Sequence, residues 1–211
     1  MSVANFHSVN LPGIVFGSIL TPKGQLVLDL RDEKKQTITY FKLDLKLLKL
    51  EQLLIHNSEW WTKLVSVDEE DLYYTQYEDR RDPNLKLFFK ATWDGKSKKE
   101  VEKIPFSETQ MSLPSLYEVG TDHHKTVSDF LGLELPLSCE YMEWQKKIII
   151  SYYLRSDVAF DIFILLLDKG NKESKLHQDH QMKGFSSGAF FIHNDRLIFF
   201  KELNEVCIYD L

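Results

Sequence analysis

The sequence has little cysteine: two residues in a chain of 211, Cys139 and Cys207. Both lie within apolar runs that are typical of strands, and there is no CxxC pair, the spacing used by many zinc and redox sites. We interpret both as buried, reduced thiols, with a disulfide or a reactive thiol as the alternative. We therefore expect neither a metal nor a cofactor in this protein.

A long apolar segment and a basic N-terminus are also missing. Residues 1–10 contain no Lys or Arg, and the apolar stretch Ile14–Leu20 is interrupted by Gly17 and Ser18. A secretory signal needs a basic start and a longer apolar run, and a membrane helix needs about 20 apolar residues. We therefore expect a cytoplasmic protein without a membrane partner.

The chain has fewer positively charged than negatively charged residues. The 26 Lys and Arg residues are outnumbered by 32 Asp and Glu, which gives a net charge of −6. Nucleic-acid binding needs clustered cations that neutralise phosphates, so a nucleic-acid partner is not expected. Glycine and proline are scarce, at nine and six residues, whereas apolar residues make up 43% and aromatics 13%. This composition disfavours disorder and suits the core of a β-rich domain.

The sequence does contain an internal repeat. Four alternating apolar runs end on an aspartate, at Asp44, Asp94, Asp168 and Asp210, and each follows a polar turn and an earlier apolar run. A strand-turn-strand unit that recurs at roughly 40–50 residues is typical of propeller blades. The sequence therefore predicts one all-β domain, residues 1–211, built as a small propeller-like arrangement of antiparallel units.

Four such units can be placed along the chain. They lie near residues 13–55, 60–104, 138–183 and 187–211. Residues 105–136 break the rhythm, and we interpret them as a degenerate unit, with a long insertion as the alternative. Within that stretch, residues 126–133 are either a short helix or a strand, and residues 122–124 are expected to be a loop. The leucine-rich residues 45–55 favour a turn and an outer strand over a helix.

The fourth unit is one strand short, because it ends with the run at Asp210. Residues 5–11 have no other assignment, so we expect them to pair beside residues 205–210 and close the ring. Apolar residues in the middle of strands should be almost fully buried. Six of them are expected to be so: Leu87, Phe89, Ile150, Ile164, Phe191 and Phe199.

Three short motifs carry a resemblance to a known family. They are Trp60-Trp61, the turn Asp94-Gly95-Lys96, and KGFSSG at residues 183–188. With the strands that end on aspartate, they resemble an uncharacterised bacterial domain-of-unknown-function family of β-propeller-like, quinoprotein-like proteins. The resemblance covers nearly the whole chain and implies the propeller-like fold. It implies no activity, and the repeated tryptophan docking of quinoproteins is missing, so no quinone cofactor is expected.

Two charged loops form the candidate binding site. Arg80, Arg81 and Asp82 follow the second strand of the second unit, and Arg155 and Asp157 follow the second strand of the third. Equivalent loops of stacked units lie on one face, so these residues are predicted to form one recognition surface. Arginine forks suit the carboxylates or phosphates of a partner. Solvated, self-paired turns are the alternative.

The sequence favours a binding or interaction module whose partner is an unknown protein or small molecule. It contains no GxSxG, HExxH or Walker motif. A zinc site needs three or four convergent ligands, so we interpret residues 177–180 as a solvated outer-strand stretch and residues 122–124 as a loop, with a metal site as the alternative. The alternative is an enzyme that acts on a small or carbohydrate-like ligand at the central axis, with Asp79, Asp82 or Asp157 as its carboxylates. Buried carboxylates that converge on a pocket would favour the enzyme.

Overall fold

A computed structural model describes residues 6–32, 34–57, 61–77, 86–105, 111–155, 160–168, 174–179 and 189–211. Within these ranges the chain is all-β with a single helix, which confirms the predicted class. In chain order the strands are β1 (Phe6–Asn10), β2 (Ile14–Leu20), β3 (Gln25–Asp32), β4 (Thr37–Asp44), β5 (Lys49–Asn57), β6 (Trp61–Val67), β7 (Asp71–Tyr77), β8 (Lys86–Thr92), β9 (Lys98–Glu100), β10 (Ser115–Tyr117), β11 (Cys139–Trp144), β12 (Lys147–Arg155), β13 (Phe160–Asp168), β14 (Ser174–Asp179), β15 (Phe190–His193), β16 (Arg196–Lys201) and β17 (Glu205–Asp210). The helix α1 (Asp122–Leu131) lies between β10 and β11.

The chain forms two compact units. Residues 11–111 make the N-terminal unit, and residues 112–211 together with residues 1–10 make the C-terminal unit. Each contains two antiparallel sheets. No helix in the described ranges has the length and apolar character that a membrane crossing requires.

The N-terminal unit contains two four-stranded sheets, β2-β3-β4-β5 and β6-β7-β8-β9. Their strands are joined in chain order, so every neighbour in a sheet is also a neighbour in sequence. A core cluster between the sheets includes Val27, Tyr40 and Tyr74. The expected turn and outer strand at residues 45–55 are confirmed: Asp44 Oδ1 accepts hydrogen bonds from the next turn's amides at 2.9 Å, and β5 follows.

Two of the six residues expected to be buried are not. Leu87 and Phe89 on β8 are only half-buried, whereas Ala91 on the same strand is buried. The neighbouring strand β9 has only three residues, all exposed, and it pairs with β8 from Phe89 onward. Alternation along β8 therefore identifies a face correctly, but the short outer strand leaves part of that face uncovered. A tight turn follows β8: the Gly95 amide donates to the Thr92 carbonyl at 2.8 Å, and Gly95 has a φ of +69°.

The C-terminal unit contains a five-stranded sheet, β10-β11-β12-β13-β14, and a four-stranded sheet, β1-β17-β16-β15. Burial of the other four predicted residues is confirmed: Ile150, Ile164, Phe191 and Phe199 are all in the core. The predicted burial of both cysteines is confirmed as well, and both are free thiols.

The described part of residues 105–136 contains one short strand and one helix, and both lie next to the five-stranded sheet. The strand, β10, pairs with β11, and α1 follows it. The loop expected at residues 122–124 is wrong, because these residues form the first turn of α1. Thr121 caps that turn by accepting a hydrogen bond from the His124 amide at 3.3 Å, and Gly132 ends the helix at φ 66°. Both are standard helix boundaries.

The expected pairing of the two chain ends is confirmed. Strand β1 lies antiparallel to β17, with Phe6 opposite Tyr209 and Asn10 opposite Glu205. The ring of Phe6 lies 4.7 Å from that of Tyr209. An early segment of the chain therefore completes the sheet formed by its last three strands, and covers an edge that would otherwise be unpaired.

Deleting residues 1–10 is expected to lower the melting temperature by several degrees. The deletion removes the whole β1–β17 ladder, and each kcal/mol lost shifts Tm by roughly 2–4 °C in a domain of this size. Differential scanning calorimetry would measure the change. Deleting residues 1–5 alone is the control, because all five residue pairs between β1 and β17 remain. If wild type and the variant that lacks residues 1–10 have equal melting curves, β1 does not stabilise the protein.

Candidate functional site

Most of the residues predicted to bind a partner lie outside the described ranges. Arg80, Arg81 and Asp82 do, as does Asp157, and the same is true of the loop carboxylate Asp79 of the enzyme alternative. Arg155 is described: it is the exposed last residue of β12, opposite Phe160 on β13. The shared recognition surface of the two loops stays a prediction.

The histidine-containing residues 177–180 lie partly outside the described ranges. The backbone of residues 177–179 lies in β14, and their side chains are outside the description, as are residue 180 and the KGFSSG motif. Among the residues that are described, no three His, Cys, Asp or Glu side chains gather as a metal site needs.

The C-terminal unit has an apolar pocket beneath α1. Its volume is about 270 Å³, and it lies between the helix and one face of β10, β11 and β12. The lining residues are Tyr117, His123, Thr126, Val127, Phe130, Tyr141, Ile148 and Ile150. Phe130 is 59% exposed, whereas Val127 and Ile150 are buried. The pocket thus has an aliphatic floor and an accessible aromatic rim.

Strand register explains why these side chains meet. Tyr141 lies opposite Ile150 and Glu143 opposite Ile148, and residues opposite one another in an antiparallel pair share a face. The intervening Met142 lies on the other face, in the core shared with the four-stranded sheet. One face of β11 and β12 therefore serves the unit's core, and the other serves the pocket.

The aromatic wall of the pocket is ordered by ring packing. Tyr117 stacks on Tyr141, with ring centroids 5.7 Å apart and planes 17° apart, and His123 tilts onto Tyr117 at 5.0 Å. Offset stacking of this kind is a favourable arrangement of aromatic rings. The Tyr141 hydroxyl donates a 2.6 Å hydrogen bond to Glu143 Oε1. Burial, and then this bond to Glu143, raise the pKa of Tyr141 to about 12, so the phenol is neutral.

The helix over the pocket is held by hydrogen bonds at both ends. The buried ring of His124 lies with Nε2 3.0 Å from the carbonyl oxygen of Leu137. Near the other end, Ser128 donates to the Leu133 carbonyl at 2.6 Å and accepts from the Leu135 amide. These bonds to the segment that leads into β11 fix the helix above the sheet and keep the pocket open beneath it.

The N-terminal unit contains a buried charged cluster around Asp29. This residue is 1% exposed and lies on β3 between Gly17 and Tyr40 of the flanking strands. The Arg31 guanidinium lies 4.0 Å from its carboxylate, stacks 3.3 Å above the Phe16 ring, and donates to a backbone carbonyl of β6. The cluster is therefore enclosed between the two sheets of the unit.

Burial raises the pKa of Asp29 to about 6. The positive charge of Arg31, the backbone amide of Leu64 and the charge of Lys63 oppose this rise but do not offset it. The cause is geometric, because neither carboxylate oxygen accepts a well-formed hydrogen bond from the described residues and Arg31 is too far for a close ion pair. Desolvation thus outweighs the attraction of the nearby cation.

His56 adds a second perturbed group to this unit. Burial and the charge of Lys98 lower its pKa to about 4. Its ring packs edge-on against Tyr40 at 5.1 Å and Tyr74 at 4.7 Å. A neutral imidazole within an aromatic cluster is a feature of core packing, and its lowered pKa affects stability in the opposite direction to the raised pKa of Asp29.

Two carboxylates among the described residues have a pKa above the ordinary value. Asp29 belongs to the N-terminal unit, and Glu140 belongs to the C-terminal unit. Glu140 Oε2 accepts a 2.8 Å hydrogen bond from the Ala189 amide, and burial raises the pKa of this carboxyl. Neither carboxylate lines the pocket beneath α1.

Sequence patterns gave partial signals for these features. Thr121 and Gly132 frame α1 as cap residues, with Val127 and Leu131 spaced as one helical face, yet the helix's packing partner lies on strands further along the chain. Asp29 interrupts a run of buried apolar residues on β3, which is the pattern of a buried charge. Both signals were present in the sequence, but the pocket that α1 creates was not predicted.

No protein-family model and no curated protein matches this chain. The resemblance to propeller-like proteins of unknown function therefore stays an expectation.

Proposed function

We propose that this protein is a propeller-like binding module. Its four antiparallel sheets are built mostly of strands adjacent in sequence, and the strand from the start of the chain completes the last sheet. Such a return of one terminal strand is the closure expected of blades that hide their edges. The recurrence of strand-turn-strand units in the sequence supports the same arrangement.

The binding site that we propose is the pocket beneath α1, and its ligand is a small, planar, aromatic molecule. One observation carries this proposal: an accessible, mainly apolar cavity of about 270 Å³ whose rim includes the stacked rings of Tyr117 and Tyr141. Ligand sites are typically concave and apolar, with a few polar groups that orient the ligand. The cavity has room for one or two fused rings.

The lining favours binding over catalysis. None of its eight residues is a carboxylate, lysine, cysteine or serine, and Tyr141 is held neutral. A hydrolytic site pairs a nucleophile with a general base, and the lining contains one residue of each kind, Thr126 and His123. Within the described residues they are not bonded to each other: the Thr126 hydroxyl donates to the Asp122 carbonyl at 2.8 Å, and the His123 ring packs on Tyr117. The pocket can hold a ligand by ring stacking, by burial of the ligand's apolar surface and by a few hydrogen bonds.

Indole is a suitable first probe, because it is planar, neutral and small. We expect it to bind with a Kd of about 1 mM or tighter, which corresponds to about −4 kcal/mol. This affinity is reasonable for a ligand of about nine non-hydrogen atoms. Isothermal titration calorimetry would measure it, and NMR shift changes at Ile148 and Ile150 would locate it.

A matched pair of variants tests the site. Thr126→Trp places an indole ring on a lining residue and is expected to weaken indole binding at least tenfold by occupying the pocket. Lys125→Trp is the control, because this exposed neighbour on the same helix is not part of the lining. No binding by the wild type, or equal affinities for the two variants, would overturn the proposed function.

A further inference from the structure

We propose that the pocket beneath α1 prefers aromatic ligands with a hydrogen-bond donor on the ring, such as an N–H group, over ligands of the same shape without one. This inference rests on the proposed function, because it concerns the ligand class of that same pocket. Its basis is the hydroxyl groups of two lining residues, Tyr141 and Thr126, whose protons are already donated to acceptors within the protein.

The Tyr141 hydroxyl is the first of these groups. It donates its proton to Glu143 Oε1 at 2.6 Å, and burial together with this bond raises the pKa of Tyr141 to about 12, so the phenol keeps its proton. A hydroxyl has one proton and two lone pairs, so an oxygen that already donates can only accept from a ligand. Hydrogen bonds to carboxylates are among the stronger ones in proteins, and a ligand acceptor therefore does not displace this bond easily.

The Thr126 hydroxyl is the second group, and it lies on the opposite wall. It donates to the backbone carbonyl of Asp122, one turn earlier in α1, at 2.8 Å. This is the usual bond of a threonine within a helix, and it leaves the oxygen with its lone pairs. Because Thr126 belongs to the helix and Tyr141 to the sheet below it, a ligand between them has an acceptor on each wall.

The other two polar residues of the lining favour neither donors nor acceptors. The Tyr117 hydroxyl makes no hydrogen bond to any described residue, so it can either donate or accept. A neutral imidazole such as that of His123 has one nitrogen of each kind. The remaining lining residues are apolar: Val127, Phe130, Ile148 and Ile150. The lining side chains thus include two groups that only accept and none that only donates.

Indole and benzofuran are suited to measure this preference. They have nearly the same size and shape, but indole has a ring N–H where benzofuran has an oxygen. One hydrogen bond within a protein site has a modest net worth, so we expect indole to bind roughly two- to tenfold more tightly. Without an acceptor in the pocket, indole would lose the bond of its N–H to water, and benzofuran would bind more tightly. The order of the two affinities therefore tests the inference.

Isothermal titration calorimetry of both probes, with wild type and variants, is the experiment. The double variant Tyr141→Phe/Thr126→Val removes both hydroxyl groups and keeps the ring and the branched side chain. We expect its ratio of indole affinity to benzofuran affinity to fall to about one or below. Tyr117→Phe is the matched control, because it removes the same hydroxyl from the ring that stacks on Tyr141, and it should keep the wild-type ratio.

The outcomes separate this inference from the proposed function. If benzofuran binds to the wild type as tightly as indole or more tightly, the donor preference is wrong and the pocket stands. A wild-type ratio in the double variant, or an equal fall in Tyr117→Phe, overturns the role of the two hydroxyl oxygens. If neither probe binds to the wild type, the proposed function fails, and this inference fails with it.

Benzofuran also shows whether a variant keeps its pocket, because it does not use the two oxygens as a donor would. If the double variant binds neither probe, the single variants Tyr141→Phe and Thr126→Val replace it. At least one of them is expected to lower the ratio while its benzofuran affinity stays within about twofold of wild type. If both keep the wild-type ratio, the inference is wrong.

Discussion

Replacing Asp29 with asparagine is expected to raise the free energy of unfolding by about 1–3 kcal/mol at pH 8. In the folded protein its pKa is about 6, whereas an unfolded aspartate titrates near 3.9. A difference of about two pKa units corresponds to roughly 3 kcal/mol that the ionised, buried carboxylate costs the folded state. Asparagine keeps the shape without the charge, although it has its own hydrogen bonds to satisfy, which lowers the expected gain.

Whether Asp29→Asn stabilises the protein depends on what happens to the Arg31 guanidinium when the carboxylate is removed. Removing one partner of a close buried ion pair usually destabilises a protein, because the other charge is left buried. Here the two groups are 4.0 Å apart, and Arg31 keeps its stacking on Phe16 and its bond to the Thr62 carbonyl. We therefore expect the relief of desolvation at Asp29 to exceed the loss at Arg31.

The pH dependence gives a sharper test, because Asp29 and His56 act in opposite directions. The raised pKa of Asp29 gives stability that is fully present below about pH 4 and lost as the pH rises through about 6. The lowered pKa of His56 gives stability that is present above about pH 6.5 and lost as the pH falls towards about 4. In the wild type these two contributions largely cancel between pH 4 and 6.5.

Each single substitution should uncover the other group's contribution. In Asp29→Asn, stability is expected to fall by about 3 kcal/mol relative to wild type as the pH drops from 6.5 to 4. In His56→Gln, relative stability is expected to rise over the same interval. Urea unfolding at several pH values measures both, and the differences between variants cancel the other titrating groups. If the free energy of unfolding changes with pH in the same way in wild type and Asp29→Asn, the pKa of Asp29 is not raised in the folded protein, and this prediction is wrong.

The all-β fold was predictable because its signals are local. Alternation has a period of two, so each run of alternating residues indicates a strand without reference to its neighbours. The strand-ending aspartates have local roles too. Asp168 and Asp210 each bond to the basic residue opposite them, Lys147 at 2.7 Å and Arg196 at 2.8 Å. Asp94 instead accepts from the amide of Lys96 in the turn.

The pocket and the buried cluster were not predictable in the same way, because both depend on residues far apart in sequence. The cap residues of α1 indicate a helix, but only the register of β11 against β12 places Tyr141 and Ile150 beneath it. Similarly, Asp29 is enclosed by strands of both sheets in its unit. A sequence pattern identifies the face of a strand and leaves open which element covers it.

Truncating Phe199 to alanine is expected to cost 3–5 kcal/mol of unfolding free energy, the usual cost of emptying a buried phenylalanine site. Its side chain is 1% exposed and packs in the core between the two sheets of the C-terminal unit, with a neighbouring ring at Tyr209. Since typical domains are stable by only about 5–15 kcal/mol, this is a large fraction of the stability of a domain. Phe199→Leu keeps most of the side-chain volume, so it is a milder variant whose free energy of unfolding is expected to fall by less.

Phe89→Ala is the matched comparison, and we expect it to cost only about 1–2 kcal/mol. The same atoms are removed, but Phe89 is half-buried and one side of its ring is covered by the Lys98 ammonium at 4.2 Å, which can move with the change. Less apolar surface is returned to water, and a site open to solvent leaves no closed cavity. Urea unfolding of both variants measures the contrast. Equal costs would mean that β9 and its neighbours cover β8 as fully as the central strands are covered, and that alternation alone had identified the core residues correctly.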